Sequence, residues 1–300
     1  KEHQAPRASN GPDPTKKPCP FCTGQTVMAE NDAGALWQFP ERRKQILPQA
    51  LIRHQPEPRQ RRSLGAGVAL GHLNSYSDRM TEDAKARLDK VSANIERAAR
   101  LAGRRGEDVR LIAIAKTHDA AAIRPLIDAG QRRFGENRVQ EAQGKWPGLR
   151  AEFHDLELHL VGQLQSNKAE DAVALFDVIH SIDRPSLVSA LAKAQQKTGR
   201  HPACFIQVNI GDEPQKGGCR IGDLPGLVAE ARAAGLDLTG LMAVPPADLE
   251  AAPYFALLAK LARDHRLDGL SMGMTGDYET AVLLGATHVR IGSALFGTRA

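Results

Sequence analysis

The chain has 300 residues, of which 42% are hydrophobic and 25% are charged, and its formal net charge is +5. This length suffices for one large domain or two smaller ones, and no apolar run reaches the roughly 18 residues that span a bilayer. Four cysteines are too few for a disulfide framework, and no N-terminal signal is visible, so the sequence predicts a cytoplasmic protein without membrane spans.

The charge distribution separates residues 1–80 from residues 81–300. The first segment contains 12 lysines and arginines against 7 acidic residues, whereas the second carries 28 of each sign. The first segment also contains 9 of the 18 prolines, and its residues show no sustained strand or helix periodicity. This composition predicts a largely disordered N-terminal extension. Because the second segment is neutral, nucleic-acid binding would require the basic tail, and a solvated tail is the preferred interpretation.

One pair of cysteines in the extension resembles half of a zinc site. Cys19 and Cys22 stand close together in KPCPFCTG, but His54 and His72 are too far apart to form the usual second half. We therefore expect no metal site and interpret the two cysteines as incidental, with zinc as the alternative.

From residue 81 onward the apolar residues are regularly spaced. Helical spacing predicts a helix over 81–102, with apolar positions at Ala84, Leu88, Val91, Ile95 and Ala98. Strand-like runs then alternate with helical ones. The predicted strands are 109–115, 132–135, 156–162, 177–182, 203–210, 238–244, 269–272 and 288–291. The main helices between them are 120–129, 185–196, 224–234, 251–266 and 278–285.

This alternation predicts an α/β fold with parallel strands and right-handed crossovers. Eight evenly spaced units favour a single-domain (β/α)8 TIM barrel over 81–300, and a doubly wound open sheet is the alternative. No Walker motif or GxGxxG fingerprint follows a strand, which weakens the nucleotide-binding interpretation of the open sheet.

The first predicted strand ends in a lysine. In VRLIAIAKTHD, Lys116 follows a continuous apolar run that is typical of a strand buried on both faces. An ammonium is costly to desolvate, so we expect burial to lower the pKa of Lys116 and to make a neutral amine available. Such an amine suits Schiff-base chemistry with an aldehyde. The alternative is that Lys116 has simply reached solvent.

Glycine and hydroxyl residues follow the last two predicted strands, where barrels often bind phosphate. Gly273 and Gly292 would let backbone N–H groups approach an anion, and three hydroxyls would add donors. These are the hydroxyls of Ser271, Thr275 and Ser293. The alternative is a pair of ordinary Gly-Ser turns.

The two features together predict one ligand. In a closed barrel the first and last strands are neighbours, so a phosphate-and-aldehyde ligand would span the hydroxyl cluster and Lys116. Pyridoxal 5′-phosphate (PLP) has both groups. Arg290 near its pyridine nitrogen would keep that nitrogen unprotonated, because a permanent cation disfavours a second charge. A salt bridge at the barrel rim is the alternative for Arg290.

Eight motifs over residue 82 to the C-terminus resemble the YggS/PROSC family of pyridoxal phosphate homeostasis proteins. They are LIAIAKTH, FGENRVQEA, HLVGQLQSNK, HSID, VNIGDEPQKGGC, GLMAVPP, LSMGMTGDYETA and VRIGSALFG. The resemblance implies a fold similar to the N-terminal barrel of alanine racemase and an aldimine on Lys116. It also implies that Asn137 lies near the ring and that Ser271, Thr275, Gly292 and Ser293 surround the phosphate. Gln163 and Thr275 replace the more usual histidine and serine, and neither change removes a donor.

The resemblance implies that the chain carries or buffers PLP and does not turn over a substrate. A racemase needs an acid–base group on each face of the ligand, and racemases with a similar barrel take the second from a C-terminal domain. Only eight residues follow Gly292, so we expect no such domain, and Tyr278 is the one possible substitute. A slow racemase or lyase is the alternative function. The expected partners are PLP and recipient apoenzymes, and the expected state is a monomer.

Overall fold

The described part of the chain is a closed barrel of eight parallel strands surrounded by helices. The computed structural model describes residues 66–297, with side chains from residue 78 onward. The strands are β1 Arg110–Ile114, β2 Arg133–Glu136, β3 Glu157–Leu160, β4 Val178–Ile182, β5 Ala203–Gln207, β6 Leu238–Met242, β7 Gly269–Ser271 and β8 His288–Ile291. They follow one another in chain order, and β1 pairs with β8 to close the barrel. The predicted TIM barrel is confirmed, and the open sheet is excluded.

Ten helices of the described residues surround the barrel; α1 precedes β1, α10 follows β8, and the others connect successive strands. They are α1 Ala66–Leu101, α2 Ala120–Asp128, α3 Val139–Gln143, α4 Trp146–Glu152, α5 Ala169–Leu175, α6 Pro185–Thr198, α7 Leu224–Ala233, α8 Ala252–Asp264, α9 Tyr278–Leu283 and α10 Ser293–Phe296. The five main crossover helices predicted from the sequence are confirmed to within a few residues. None of the helices in 66–297 combines the length and apolarity needed to cross a membrane.

Helix α1 begins at Ala66, so the predicted boundary at residue 80 falls inside a helix. The regular apolar spacing starts only at residue 81, but no proline interrupts residues 66–80, and the backbone can remain helical without that spacing. The predictions for residues 1–65, including disorder, the basic tail and the Cys19–Cys22 pair, lie outside the described residues.

The C-terminal half of α1 completes the outer ring of helices. All five predicted apolar positions, from Ala84 to Ala98, are buried at 9% exposure or less. This face contacts α2, α9 and α10, and the guanidinium of Arg87 donates to the carbonyl of Leu295 over 2.7 Å. Because α10 is only four residues long, α1 covers the part of the barrel wall that α10 leaves open.

The barrel interior contains histidines as well as apolar side chains. Since side chains alternate between the two faces of a barrel strand, every second residue points to the axis. Phe205 of β5 lies there, stacked on His180 of β4 at 4.5 Å between ring centroids and edge-on to His288 of β8 at 5.0 Å. Val178 and Met242 form a small apolar cluster with the same phenylalanine, separate from the large core under the helices.

Two glycines allow β6 and β7 to approach closely. Gly240 and Gly269 are register partners, and a Cβ on Gly240 would lie 2.1 Å from the carbonyl oxygen of Gly269. A Cβ on Gly269 would in turn lie 2.8 Å from the ring of Phe205. Any side chain at this pair would therefore separate the strands or displace the phenylalanine that fills the interior.

Candidate cofactor site

A cavity of about 490 Å³ opens at the carboxyl ends of β1, β7 and β8. Its walls are formed by Ile114, Lys116, His118, Met274, Thr275, Gly276, Arg290, Gly292, Ser293 and Gly297. Five of the eight predicted site residues, namely Lys116, Thr275, Arg290, Gly292 and Ser293, therefore share one cavity. Ser271, Gly273 and Asn137 do not form part of its wall.

Lys116 lies on a tight turn just beyond β1, and its side chain is exposed. The predicted burial of this lysine is not observed, because β1 ends at Ile114 and Lys116 lies in the turn that follows. The next residue, Thr117, has a φ of +64°, which is rare for a β-branched residue and is a form of strain often found at functional sites. His118 then stacks on Phe296, with ring centroids 4.2 Å apart.

Hydroxyl groups and glycines also line the cavity. Thr275 follows β7 and Ser293 follows β8, and their hydroxyl oxygens are 3.4 Å apart. Gly276 and Gly292 stand beside them without side chains. Hydroxyls combined with accessible backbone form a suitable environment for an anion.

Gly273 shapes the loop after β7 without reaching the cavity. Its φ is +93°, and a Cβ there would lie 2.6 Å from the Cβ of Ala281 in α9. Its carbonyl accepts a hydrogen bond from the backbone N–H of Arg290 over 3.0 Å. Glycine at this position thus brings the loop against α9 and fixes it to β8.

Arg290 is the cation in the cavity floor. The residue is 5% exposed, and its guanidinium donates to the hydroxyl of Ser271 over 2.8 Å and to the carbonyl of Ala243 over 3.0 Å. Burial lowers the pKa of Arg290 to about 10, with Asp277 acting in the opposite direction. Arg290 therefore stays charged at neutral pH and is held in one orientation.

A chain of buried polar groups continues from Arg290 through the barrel. Ser271 Oγ lies 2.9 Å from His180 Nδ1, and His180 Nε2 lies 2.9 Å from His159 Nδ1. His159 Nε2 is 3.1 Å from Glu157 Oε1, a less well aligned contact, since this nitrogen makes no geometrically good hydrogen bond within residues 78–297. We call these five residues the axial chain.

The hydrogen bonds of the axial chain have a defined direction. Arginine can only donate and an ionised carboxylate can only accept. Ser271 therefore accepts from Arg290 and can give its own proton to His180 Nδ1. His180 then donates from Nε2 to His159 Nδ1, which leaves the Nε2–H of His159 facing Glu157. One neutral tautomer of each histidine thus fits every link, in an assignment that follows from donor and acceptor chemistry.

The environment keeps the interior histidines neutral. Burial lowers the pKa of His159 and lowers that of His180 well below its ordinary value, and it lowers the pKa of His288 to about 3. The pKa of Glu157 is lowered, so this carboxylate stays ionised. Its contact with His159, followed by the charges of Arg133 and Arg110, lowers its pKa from 4.5 to about 2 against the opposing effect of burial.

This shift predicts a pH-dependent contribution of Glu157 to stability. A carboxylate whose pKa is lowered by folding stabilises the protein above its unfolded pKa, and that stabilisation is lost as the pH falls from 4.5 towards 2. The side chain is 29% exposed, so solvent screening keeps the contribution at or below about 3 kcal/mol. We expect Glu157→Gln to flatten the fall in urea unfolding free energy between pH 5 and pH 3.

Glu152→Gln is the matched control for this experiment. It removes an exposed ion pair with Arg124, and such pairs contribute at most about 1 kcal/mol. If the unfolding free energies of wild-type protein and Glu157→Gln fall in parallel from pH 5 to pH 3, the stabilising contact of Glu157 is refuted.

Asn137 lies apart from the Lys116 cavity. It lines a neighbouring cavity of about 300 Å³ together with Gln163 and Lys168. The segment after β3 also approaches its backbone closely, because a Cβ on Gly162 would lie 2.2 Å from the carbonyl oxygen of Asn137. The position near a ligand ring that the resemblance implies for Asn137 therefore stays a prediction.

Two groups of buried residues near the site received no role from the sequence. The two histidines of the axial chain lie beneath Arg290, and Lys145 lies beneath the Lys116 turn. A glutamate at the end of a buried strand, Glu136, was a signal that a cation must lie nearby, because carboxylates are rarely buried without a partner. No local pattern, however, identifies Lys145 as that cation.

The described part contains two free cysteines and no candidate metal site. Cys204 and Cys219 are buried free thiols, and burial raises the pKa of each to about 12, which leaves them unreactive. Within the described residues no group of three or more histidine, cysteine, aspartate or glutamate side chains could hold a metal ion.

The sequence has close relatives over the whole barrel. Residues 86–300 match the alanine racemase N-terminal domain family. A pyridoxal phosphate homeostasis protein of Pseudomonas aeruginosa is 44% identical over 221 residues, which cover 71% of this chain and 94% of that protein. The protein of the same name from Escherichia coli K12 is 40% identical over 223 residues, covering 70% and 93% of the two chains.

Solved structures agree with this relationship. PipY of Synechococcus elongatus, solved without PLP, is 42% identical with a TM-score of 0.61 and covers 63% of this chain and 93% of its own. PipY with PLP bound is 40% identical with a TM-score of 0.57, covering 68% and 100%. Alanine racemase of Clostridium difficile, at 16% identity and a TM-score of 0.56 over 73% of this chain and 57% of its own, shares the fold alone. The chain belongs to the alanine racemase N-terminal domain family and, within it, to the pyridoxal phosphate homeostasis proteins.

Proposed function

We propose that this chain binds PLP covalently through Lys116 and holds it as an intracellular carrier or buffer. The observation that carries the proposal is the cavity in which an exposed lysine, two hydroxyls and a buried arginine meet. The names of the relatives and the PLP-bound structure of PipY support the same ligand. PLP supplies an aldehyde that bonds to amines and a ring that can withdraw electrons.

The residues present fit this cofactor. A volume of about 490 Å³ lies within the range of small-molecule sites. Lys116 offers an amine to the cavity, and Thr275, Ser293 and the backbone beside Gly292 offer donors for a phosphate. The amine thus suits the aldehyde of PLP, and the hydrogen-bond donors suit its phosphate.

Arg290 would bind near the pyridine nitrogen and keep it unprotonated. Two of its N–H groups are used by Ser271 and Ala243, and since a guanidinium has five, others remain for the cavity. A permanent cation at that position weakens the ring as an electron sink. This favours holding the cofactor over turning over an amino acid. We assign Ser271 an indirect part, which is to orient Arg290.

A second acid–base group is the feature that a racemase would need. None of the tyrosines within residues 78–297 lines the cavity. Tyr278, the one candidate from the sequence, is 7% exposed, and its hydroxyl accepts from the amide of Asn94 in α1 over 2.9 Å. Its position argues against Tyr278 as the second acid–base group of a racemase. The recipient apoenzymes, the monomeric state and the cytoplasmic location stay predictions.

The proposal is tested with the purified full chain and added PLP. We expect an absorbance band of lysine-bound PLP and, after borohydride reduction, a stable mass increase on the peptide that contains Lys116. We also expect no racemisation or breakdown of amino acids above the rate of free PLP. A chain that takes up no PLP would refute the ligand, and amino-acid turnover well above the free-cofactor rate would refute the carrier function.

A further inference from the structure

A buried ion pair lies directly beneath the Lys116 turn. Lys145, between α3 and α4, has a side chain only 11% exposed, and its ammonium lies 2.7 Å from Oε1 of the fully buried Glu136. The same ammonium donates to the carbonyl of Ala115 over 2.8 Å and to the carbonyl of His118 over 2.7 Å. An ammonium has three N–H donors, so these contacts account for all of them.

The two carbonyls bracket Lys116. Ala115 precedes it and His118 follows Thr117, and the turn is closed by a hydrogen bond from the backbone N–H of His118 to the carbonyl of Ala115 over 3.1 Å. Thr117 adopts a φ of +64° within this turn, a conformation that persists only where surrounding contacts enforce it. The two charge-assisted hydrogen bonds from Lys145 reach both ends of the strained segment.

Glu136 anchors the ammonium from the other side. Its Oε1 accepts from Lys145 and also from the indole N–H of Trp146 over 2.9 Å. Trp146 is 1% exposed and packs against Phe134 of β2, with ring centroids 5.1 Å apart. The cation beneath the turn is therefore fixed to a strand and to a packed aromatic pair.

We infer that Lys145 is a positioning residue for Lys116, since it holds the 115–118 turn in the conformation that presents the Lys116 amine to the cavity. This inference rests on the proposed function only for the identity of the ligand. An ion pair that merely stabilises the α3–α4 segment would affect unfolding but would leave the turn and the reactivity of Lys116 unchanged in the folded protein.

The test compares Lys145→Met with the double variant Glu136→Gln/Lys145→Met in the full chain. The double variant removes both charges, so it avoids leaving a buried carboxylate without its cation and carries the test if the single variant does not fold. Lys197→Met, which removes an exposed ion pair with Glu170, is the control. All proteins are first measured without cofactor and under conditions where they are folded.

The first readout is hydrogen exchange of the His118 amide, and the second is the rate at which an amine reagent labels Lys116 as a function of pH. We expect the His118 amide to exchange at least about tenfold faster in both Lys145 variants than in wild-type protein. The pH dependence of Lys116 labelling should also change in both variants. Neither quantity should change in the control. The affinity for added PLP should fall about tenfold, as measured by absorbance and by borohydride trapping on Lys116.

The outcomes separate the two proposals. If wild-type protein traps PLP on Lys116 and the folded double variant matches it in exchange, labelling and affinity, the inference about Lys145 is wrong. If wild-type protein fails to take up PLP, the proposed function fails, and exchange and labelling still decide whether Lys145 holds the turn.

Discussion

Lys116→Ala is expected to abolish covalent uptake of PLP. The variant lacks the one amine that the structure places on a strained turn in the wall of the cavity. The absorbance band of lysine-bound PLP should be missing, and borohydride should fix no cofactor on the peptide. Thr275, Ser293 and Arg290 still line the cavity, so weak reversible binding should persist, reduced on the order of 100-fold, which corresponds to about 2.7 kcal/mol.

Two further variants make this result specific. Lys116→Arg keeps the positive charge, but a guanidinium does not lose its proton in proteins, so it should behave like the alanine variant in trapping. Lys168→Ala removes a lysine from the neighbouring cavity and should bind PLP as wild-type protein does. Undiminished trapping in Lys116→Ala, with the mass increase on a different lysine, would assign the bond to another residue.

Gly240→Ala is expected to cause a large loss of stability in this barrel. The added carbon would lie 2.1 Å from the carbonyl oxygen and 2.5 Å from the carbonyl carbon of Gly269. Both atoms belong to the backbone of β7, so relief requires the β6–β7 pairing to open. We expect a loss of about 3 kcal/mol in urea unfolding free energy, at the upper end of what overpacking costs.

Gly226→Ala is the matched control, because it adds the same methyl group in helix α7 where nothing lies within 4 Å. Alanine is a better helix former than glycine, so this variant should gain about 0.5–1 kcal/mol. The two variants should thus shift the unfolding midpoint in opposite directions. Equal midpoints for Gly240→Ala and wild-type protein would show that β6 and β7 can separate without cost. Since β7 leads into the loop of Thr275, the destabilised variant should also bind PLP more weakly.

The barrel was predictable because its signals are local. Each strand is a short apolar run bounded by polar residues, and eight such runs at even spacing leave few alternatives. The position of Lys116 was predictable for the same reason, because it follows such a run and strand ends meet at one rim. The start of α1 at Ala66 was missed, since a helix can continue where its apolar spacing has already ceased.

Much of the site chemistry was not predictable because it depends on contacts across the fold. The hydroxyl of Ser271 was expected near a phosphate, but it lies between Arg290 and His180, which is 91 residues away in sequence. The ammonium of Lys145 meets carbonyls 27 and 30 residues earlier. Such contacts depend on rotamers and on the curvature of the barrel, neither of which leaves a sequence pattern.

The axial chain has a consequence for how substitutions in this barrel combine. From Arg290 to His159 each member can donate to the next, so the neighbours of each histidine determine which of its nitrogens carries the proton. Replacing His180 with an apolar residue would leave the hydroxyl proton of Ser271 without an acceptor and Nδ1 of His159 without a donor. The five positions are therefore energetically coupled, so replacements at two of them are expected to be non-additive in unfolding free energy.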